Sequence, residues 1–377
     1  MTSLKGLIDM KIKCGNIDYI EYNNFSDIEK IGEGGFGIVN RANWIDGGIK
    51  VALKGPLNNS IDDNQKEYFL RELKLLRQIN HPNINRFLGV TKDLVRNNYI
   101  IVLQYANQGN LREYLEKNFP SLHWEDKIQM ALDITCGLKY LHSRQIIHRD
   151  LHAKNILVNN GSLMIADLGL SKRSTEINSN SIHFGLPAYI EPQCYIDHNY
   201  KQNEKSDIYS LGVLFWEISS GKPPFSEIPI FNINLLVIRG IREIPIENTP
   251  FEYQQLYKNC WKKEPYQRPD INEIYSALIQ LKLQFDNEIR INSNHNLRSG
   301  ILKISARSKT TLANALHVLK EKNFDIIHTS SRDITSSYEV QAPVFVSPSS
   351  TSLSNTPSPE SQTQSPISSL HSTLNWS

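Results

Sequence analysis

The chain has 377 residues, 40% hydrophobic and 21% charged, a balance that suits a soluble globular protein with enough apolar mass for a large core. A formal net charge of +2 supplies no field for nucleic acid or anionic lipid, so neither is expected as a partner. Four cysteines, Cys14, Cys136, Cys194 and Cys260, lie far apart with no CxxC pair, which argues against a zinc site and against a disulfide framework.

Residues 1–24 read as an N-terminal extension. Its first fifteen residues lack an apolar core behind a basic start, and no run of about 18 apolar residues occurs anywhere. Neither secretion nor a membrane span is expected, and a cytoplasmic setting is, with a nuclear one left open. From about Phe25 to Tyr105 short strands dominate, with apolar residues alternating through Gly37 to Trp44 and Lys50 to Lys54. Between them Asp46-Gly47-Gly48 signals a hairpin, because glycine tolerates the positive φ of tight antiparallel turns.

The first of these strands carries Gly32-Glu33-Gly34-Gly35-Phe36-Gly37-Ile38-Val39, a GxGxxGxV pattern. The pattern alone is shared by dinucleotide-binding turns, phosphate-covering hairpins and ordinary glycine loops. A dinucleotide fingerprint must open a helix, whereas these glycines lead into an alternating strand, and a Walker loop needs a GK[ST] that is absent. A glycine hairpin whose backbone amides close over phosphates is what remains. In Val51-Ala52-Leu53-Lys54 a cation on the next strand can reach phosphate oxygens; an exposed surface lysine is the plain alternative.

Phe69, Leu70, Leu73, Leu76 and Ile79 recur at helical spacing between Lys66 and Asn80, and His81-Pro82-Asn83 stops the helix. Its Glu72 is the first candidate to pair with Lys54 and Glu67 the second. A polar bend follows at 106–110, then a helix with Ile128, Ala131, Ile134, Leu138 and Leu141 on one stripe. Strands first and helices after argue an α+β protein of two lobes with a cleft between them.

That helix runs into His148-Arg149-Asp150-Leu151-His152-Ala153-Lys154-Asn155, followed twelve residues past its Asn by Asp167-Leu168-Gly169. A lone HRD tripeptide could be a salt-bridged turn. With Asn155 and Asp167 at this spacing it reads as a phosphoryl-transfer centre, in which one carboxylate takes the proton of an acceptor hydroxyl and an amide and a second carboxylate bind Mg²⁺. The polar stretch 171–184 offers Ser171, Ser174, Thr175, Ser179 and Ser181, on one of which a phosphate could pair with Arg149; a solvated loop is the other reading. The apolar run 208–218 is too short to span a bilayer and is expected as a helix buried in protein. Globular patterning fades after about Phe285. Residues 286–333 are expected to be marginally ordered, with Leu312, Leu316 and Leu319 as a short amphipathic candidate, and the Ser/Thr/Pro-rich stretch 334–377 to be disordered.

On these motifs, residues 25–285 resemble a protein kinase domain of the eukaryotic type, most like the tyrosine-kinase-like group of Ser/Thr kinases. The resemblance implies a small β-rich lobe with one helix (25–105), a hinge (104–110) and a larger helical lobe (111–285), using ATP and Mg²⁺. Lys54, held by Glu72, would position phosphates, Asp150 would act as base, and Asn155 and Asp167 would hold the metal. Ile31, Gly32, Gly34 and Gly37 would cover the nucleotide, and Val39, Ala52 and Leu157 would sandwich the purine. Gln104 and Ala106 would present hinge backbone, with Leu103 beside them as gatekeeper. By the same resemblance Leu76, Phe87, His148 and Leu168 would stack between the lobes, Asp207 would tie the catalytic loop to the central helix, and Trp261 and Arg268-Pro269 match a late signature of the larger lobe.

Departures follow from the same comparison. Leu168 replaces the Phe of DFG. Glu191-Pro192-Gln193 stands for APE, so the neutral Gln193 should weaken a buried clamp on Arg268, with Glu191 a candidate to compensate. His152 and Leu186 occupy the Lys and Thr places of most Ser/Thr kinases, while Lys154 sits where many tyrosine kinases carry a basic residue and could neutralise the transferring phosphoryl group. A Ser/Thr protein kinase acting on protein substrates is favoured, under an upstream kinase acting on the activation loop. Tyrosine or dual specificity, and a pseudokinase acting as a nucleotide-binding signalling scaffold, are the alternatives. The Ser-Pro tail is a further candidate docking platform for partners.

Overall fold

Alternation in the first third of the chain produces a five-stranded antiparallel sheet: β1 (Phe25–Gly34), β2 (Gly37–Trp44), β3 (Ile49–Gly55), β4 (Phe87–Asp93) and β5 (Asn98–Gln104), in the order β1-β2-β3-β5-β4. The computed structural model describes residues 4–15, 17–34, 37–56, 63–93, 95–173 and 185–287, all within one compact unit, Met1–Ser305. The expectations for 288–377, and for Gly35, Phe36, the Glu67 side chain, Ser174, Thr175, Ser179 and Ser181, fall outside the described residues.

The hairpin expected at Asp46 to Gly48 forms, with Trp44 facing Ile49 and Val39 facing Lys54 in register. Alternation then divides the sheet's two faces. Val51, Leu53, Val102 and Ile100 join Phe25 and Ala42 in one small core, whereas Ala52, Tyr99, Ile101 and Leu103 turn to the other face and enter the main core. Helix α2 (Asp63–Leu76) brings buried Leu73, Leu75 and Leu76 to that second core. Ahead of the sheet, α1 (Leu4–Lys13) leads to a short stretch in which Asp18 and Ile20 exchange backbone bonds with Val90 of β4, each at 2.9 Å.

After the hinge come α3 (Leu111–Asn118) and α4 (Trp124–Ser143). Asn110 caps α3, its side chain accepting from Glu113 N, and α4 opens on a His123/Asp126 capping box that satisfies orphan amides at its start. The stripe expected on α4 is fully buried: Ile128, Ala131, Ile134, Leu138 and Leu141 all have no exposed surface. Two short ribbons flank the loops that hold Asp150, Asn155 and Asp167. One is β6 (Ile146–Ile147) with β9 (Lys172–Arg173), the other β7 (Ile156–Asn159) with β8 (Ser162–Ile165).

Beyond α5 (Pro192–Ile196), the run expected as a buried helix is α6 (Glu204–Ser220), with every residue from Ser206 to Ser220 buried and Gly221 closing it at φ 69°. Helices α7 (Ile230–Ile238), α8 (Phe251–Cys260) and α9 (271–287) follow, and α8 packs along α6, with Tyr253 against Phe215. Together this is a β-rich lobe and a helical lobe, the α+β arrangement the element order implied.

Of the two expectations for the Arg268 clamp, the weakening through Gln193 is corrected and the compensation by Glu191 holds: Arg268 Nη1 lies 2.6 Å from Glu191 Oε2, and neither side chain has any exposed surface. Ser206 Oγ donates to the other oxygen of Glu191, while Gln193 Nε2 reaches only Glu264, at 3.3 Å. The clamp survives because its charge has moved two residues along the chain.

Candidate active site

A cleft of about 380 Å³ opens between the β-sheet and the helical lobe. Its walls combine residues from five segments far apart in sequence: β1 and β2, β3, α2, the hinge, and the loops flanking β7 and β8. Of the expected site residues, Ile31, Gly32, Val39, Ala52, Lys54, Glu72, Leu103, Gln104, Ala106, Lys154, Asn155, Leu157 and Asp167 all line it. Gly34 and Gly37 face each other across the hairpin tip but do not line the cleft, and Asp150 belongs to an adjoining small pocket with Gly185, Leu186 and Tyr189. Asn85, Tyr105, Asn110 and Glu113 also line the cleft and were not anticipated. They carry no spacing signal, since Asn85 sits in the loop after α2, Tyr105 and Asn110 in the hinge, and Glu113 in the first turn of α3.

Gly37 is required by the close approach of β3. Its φ is +138°, and a Cβ there would stand 2.2 Å from the Gly55 carbonyl oxygen. Strand pairing therefore packs the tip of the hairpin against the strand that carries Lys54.

The geometry converges on Lys54. Its Nζ donates to Glu72 Oε1 at 2.8 Å and lies 3.0 Å from Asp167 Oδ1. Burial alone would push the ammonium down, but the Asp167 and Glu72 carboxylates outweigh it and hold Lys54 above its ordinary value. Burial would also raise Asp167; Lys54 and the Gly169 N–H, which donates to Asp167 Oδ1 at 3.2 Å, keep it below the usual carboxylate range. Asp167 adopts φ 61°, and Leu168 beside it is fully buried in the main core. The smaller residue in the Phe place of the motif thus still packs inward and leaves the carboxylate aimed at Lys54.

Asp150 borders the adjoining pocket and meets the cleft through Asn155. Asn155 Nδ2 donates to the Asp150 backbone carbonyl at 2.9 Å and to its Oδ2 at 3.2 Å. Desolvation, with Asp167 adding to it, pushes the Asp150 carboxyl up to about 6. His152 Nε2 approaches Asp150 Oδ1 at 3.5 Å, and burial lowers that imidazole to about 4, so the Lys place of most Ser/Thr kinases holds a neutral ring. Lys154 is exposed at the rim of the cleft.

The loop bearing Asp150 is fixed from below. Asp207, fully buried on α6, accepts from His148 N at 2.8 Å, Arg149 N at 2.9 Å and His142 Nε2 at 2.9 Å. Those bonds outweigh burial and keep Asp207 below its ordinary value. His148 has no exposed surface, and its Nε2 donates to the Ala166 carbonyl at 3.0 Å, tying the loop to the approach of Asp167. Arg149 donates to Gln202 Oε1 and to the Leu170 carbonyl. Ser171, one of the hydroxyls considered for modification, is fully buried and donates to the His148 carbonyl at 3.2 Å. It is a structural hydroxyl here.

The donor set suits a hard divalent cation. Asn155 has its amide nitrogen committed to Asp150, which leaves Oδ1 as the atom to offer, and Asp167 has Oδ2 beyond the oxygen held by Lys54. Two oxygen ligands with the remainder from phosphate and water is how Mg²⁺ is commonly held. No cluster of three or more His, Cys, Asp or Glu able to hold a metal occurs among the described residues.

Residues 25–278 match the family model described as protein tyrosine and serine/threonine kinase. A protein of Acanthamoeba polyphaga mimivirus, named as a serine/threonine-protein kinase/receptor, is 32% identical over 273 residues, covering 72% of this chain and 16% of its own length. A Dictyostelium discoideum protein named as a serine/threonine-protein kinase is 35% identical over 71% of this chain and 25% of its own. Human mitogen-activated protein kinase kinase kinase 7 is 32% identical over 74% of this chain and 45% of its own. The chain therefore spans less than half the length of each of these relatives.

Proposed function

We propose that this chain, which belongs to the protein tyrosine and serine/threonine kinase family, transfers the γ-phosphoryl group of ATP to hydroxyls of protein substrates, with serine and threonine favoured. The observation that carries the reading is the three-way contact at Lys54: one buried ammonium is held simultaneously by Glu72 of α2 and by Asp167 from the helical lobe. That contact joins the two lobes around the cleft and leaves a cation where phosphate oxygens would lie.

In this reading the residues divide the work. Val39, Ala52 and Leu157 enclose the adenine, Leu103 borders it, and backbone groups of Gln104 and Ala106 orient it, while Ile31, Gly32, Gly34 and Gly37 form the cover over the phosphates. Lys54, kept in place by Glu72, orients the phosphates. Asp150, held through Asn155, accepts the proton of the incoming hydroxyl. Asn155 Oδ1 and Asp167 would hold Mg²⁺, which when bound neutralises charge on the phosphates. Lys154 at the rim adds a cation near the acceptor side. The catalytic unit would run over 25–285, with 1–24, 286–333 and 334–377 outside it. No helix among the described residues is long and apolar enough to cross a membrane.

The names of the relatives favour Ser/Thr acceptors. Tyrosine specificity keeps a specific argument, because a neutral His152 stands beside Asp150 and Lys154 is the nearby cation. A pseudokinase is disfavoured by a fully assembled Lys54, Glu72 and Asp167 set. The test is transfer of radiolabel from γ-labelled ATP to a generic protein substrate, followed by phosphoamino-acid analysis. Transfer lost in Lys54→Met and Asp150→Asn supports the proposal; nucleotide binding with no transfer by the unaltered chain would mean a scaffold instead.

A further inference from the structure

The N-terminal helix lies outside the region matched to the family, which begins at Phe25, yet its Ile8 enters the main apolar core and Ile12 packs against that core. At ten residues α1 is too short to hold helical structure in water by itself, so docking must stabilise it. Ile8 has no exposed surface and Ile17 is 4% exposed. Both belong to the apolar cluster that contains Leu73, Leu75 and Leu76 of α2, Val90 of β4 and Tyr99 and Ile101 of β5.

Two polar features fix the seat. The hydroxyl of Tyr99, a nearly buried side chain on that same sheet face, donates to Asp9 of α1. The chain after α1 then extends the sheet beyond β4, with Ile20 N bonded to Val90 O and Val90 N to Asp18 O. Gly89 permits this approach: a Cβ there would lie 2.7 Å from the Asp18 carbonyl oxygen and 3.2 Å from Ile20. The edge strand carries a residue without a side chain at the point where the N-terminal segment crosses it.

The face covered by α1 is the one that serves catalysis. Lys54 is in register with Ile101, two residues from Tyr99 on β5, and Glu72 is buried on α2 immediately before Leu73. We propose that α1 is a positioning element for the Lys54–Glu72 pair: by completing the apolar layer on which α2 rests, it keeps Glu72 within reach of Lys54. Ile8 and Asp9 act through α2 and touch no substrate. The inference rests on the kinase reading above, and the test separates the two.

The test is a double-mutant cycle in the full-length chain, comparing Ile8→Asp, Glu72→Gln and the combination, with kcat/KM for ATP as the readout at fixed acceptor. Ile8→Asp is expected to cost about tenfold with Glu72 present and less than about twofold in the Glu72→Gln background, because the effect passes through that residue. Equal losses in both backgrounds, or no loss in the first, overturn the proposal. If Ile8→Asp does not fold, Gly89→Ala, which displaces the segment through its backbone, goes through the same cycle with the same deciding outcomes. Amide exchange across 69–76 of α2 supplies a readout independent of turnover. Faster exchange in Ile8→Asp supports the strut, and unchanged protection refutes it even if the unaltered chain transfers no phosphate, a result that would sink the kinase reading separately.

Discussion

Replacing Glu191 by Ala tests the reassigned clamp. The change leaves the Arg268 guanidinium charged in a position with no exposed surface and removes its 2.6 Å partner. Breaking one side of a buried ion pair costs about 3 to 5 kcal/mol, since the surviving charge is uncompensated. Arg268 keeps bonds to the backbone carbonyls of Lys262, Lys205 and Lys263, at 2.8, 2.7 and 3.0 Å, which places the loss toward the lower end of that range. Ser206 also loses its acceptor, adding roughly 1 kcal/mol. The matching change Gln193→Ala removes one 3.3 Å bond to Glu264 and should cost no more than about 1 kcal/mol. Urea unfolding of both variants, followed by tryptophan fluorescence, gives the comparison directly. If the two cost the same, or if Gln193→Ala costs more, the charge that matters is not on Glu191 and the reasoning fails.

Three further outcomes follow from the site. Because Asp150 must be ionised to accept a proton and its carboxyl is pushed up to about 6, transfer should fall about tenfold per pH unit below that value; a rate profile flat from neutrality down to about pH 5 would exclude this carboxylate as the base. Gly37→Ala forces a Cβ to within 2.2 Å of the Gly55 carbonyl, so the hairpin must shift. ATP affinity measured by calorimetry should drop by about tenfold or more, in line with roughly 1 to 3 kcal/mol of local strain. Ser171→Asp buries a carboxylate at a fully enclosed position facing the His148 carbonyl. A loss of about 2 kcal/mol or more in thermal or chemical unfolding is expected, against less than about 1.5 for Ser171→Ala, and equal stability of the two would show that the hydroxyl is not enclosed.

Much of the site was legible because its chemistry lies in short, closely spaced motifs. Asp150 and Asn155 are five residues apart on one loop, and the positive φ that places Asp167 over Lys54 sits beside a glycine the motif includes. Glu72 was legible as a helical position, although spacing by itself left Glu67 as a rival; the 2.8 Å contact with Lys54 identifies Glu72 as the partner. Alternation gave strands β2 and β3 and a helical stripe gave the buried α4, since their sequence patterns repeat with the period of the element, whereas the enclosed α6 was legible as an apolar run too short to span a bilayer. Asn85 and Glu113 escaped, and Tyr105 and Asn110 were legible only as part of the hinge, because nothing in the local pattern of a loop or of a short helix says which side chains border a cleft.

The amino-acid sequence by itself determined the order of strands and helices from Phe25 onward and which ionisable groups stand together in the proposed catalytic motifs, because these depend on local periodicity and on motifs a few residues long. Only the tertiary structure decided which groups meet across long stretches of chain. It gave Arg268 its carboxylate from Glu191, turned Ser171 inward, and joined Asp9 of α1 to Tyr99 of β5. Such pairings depend on burial, and burial is a property of how surfaces close over one another in space.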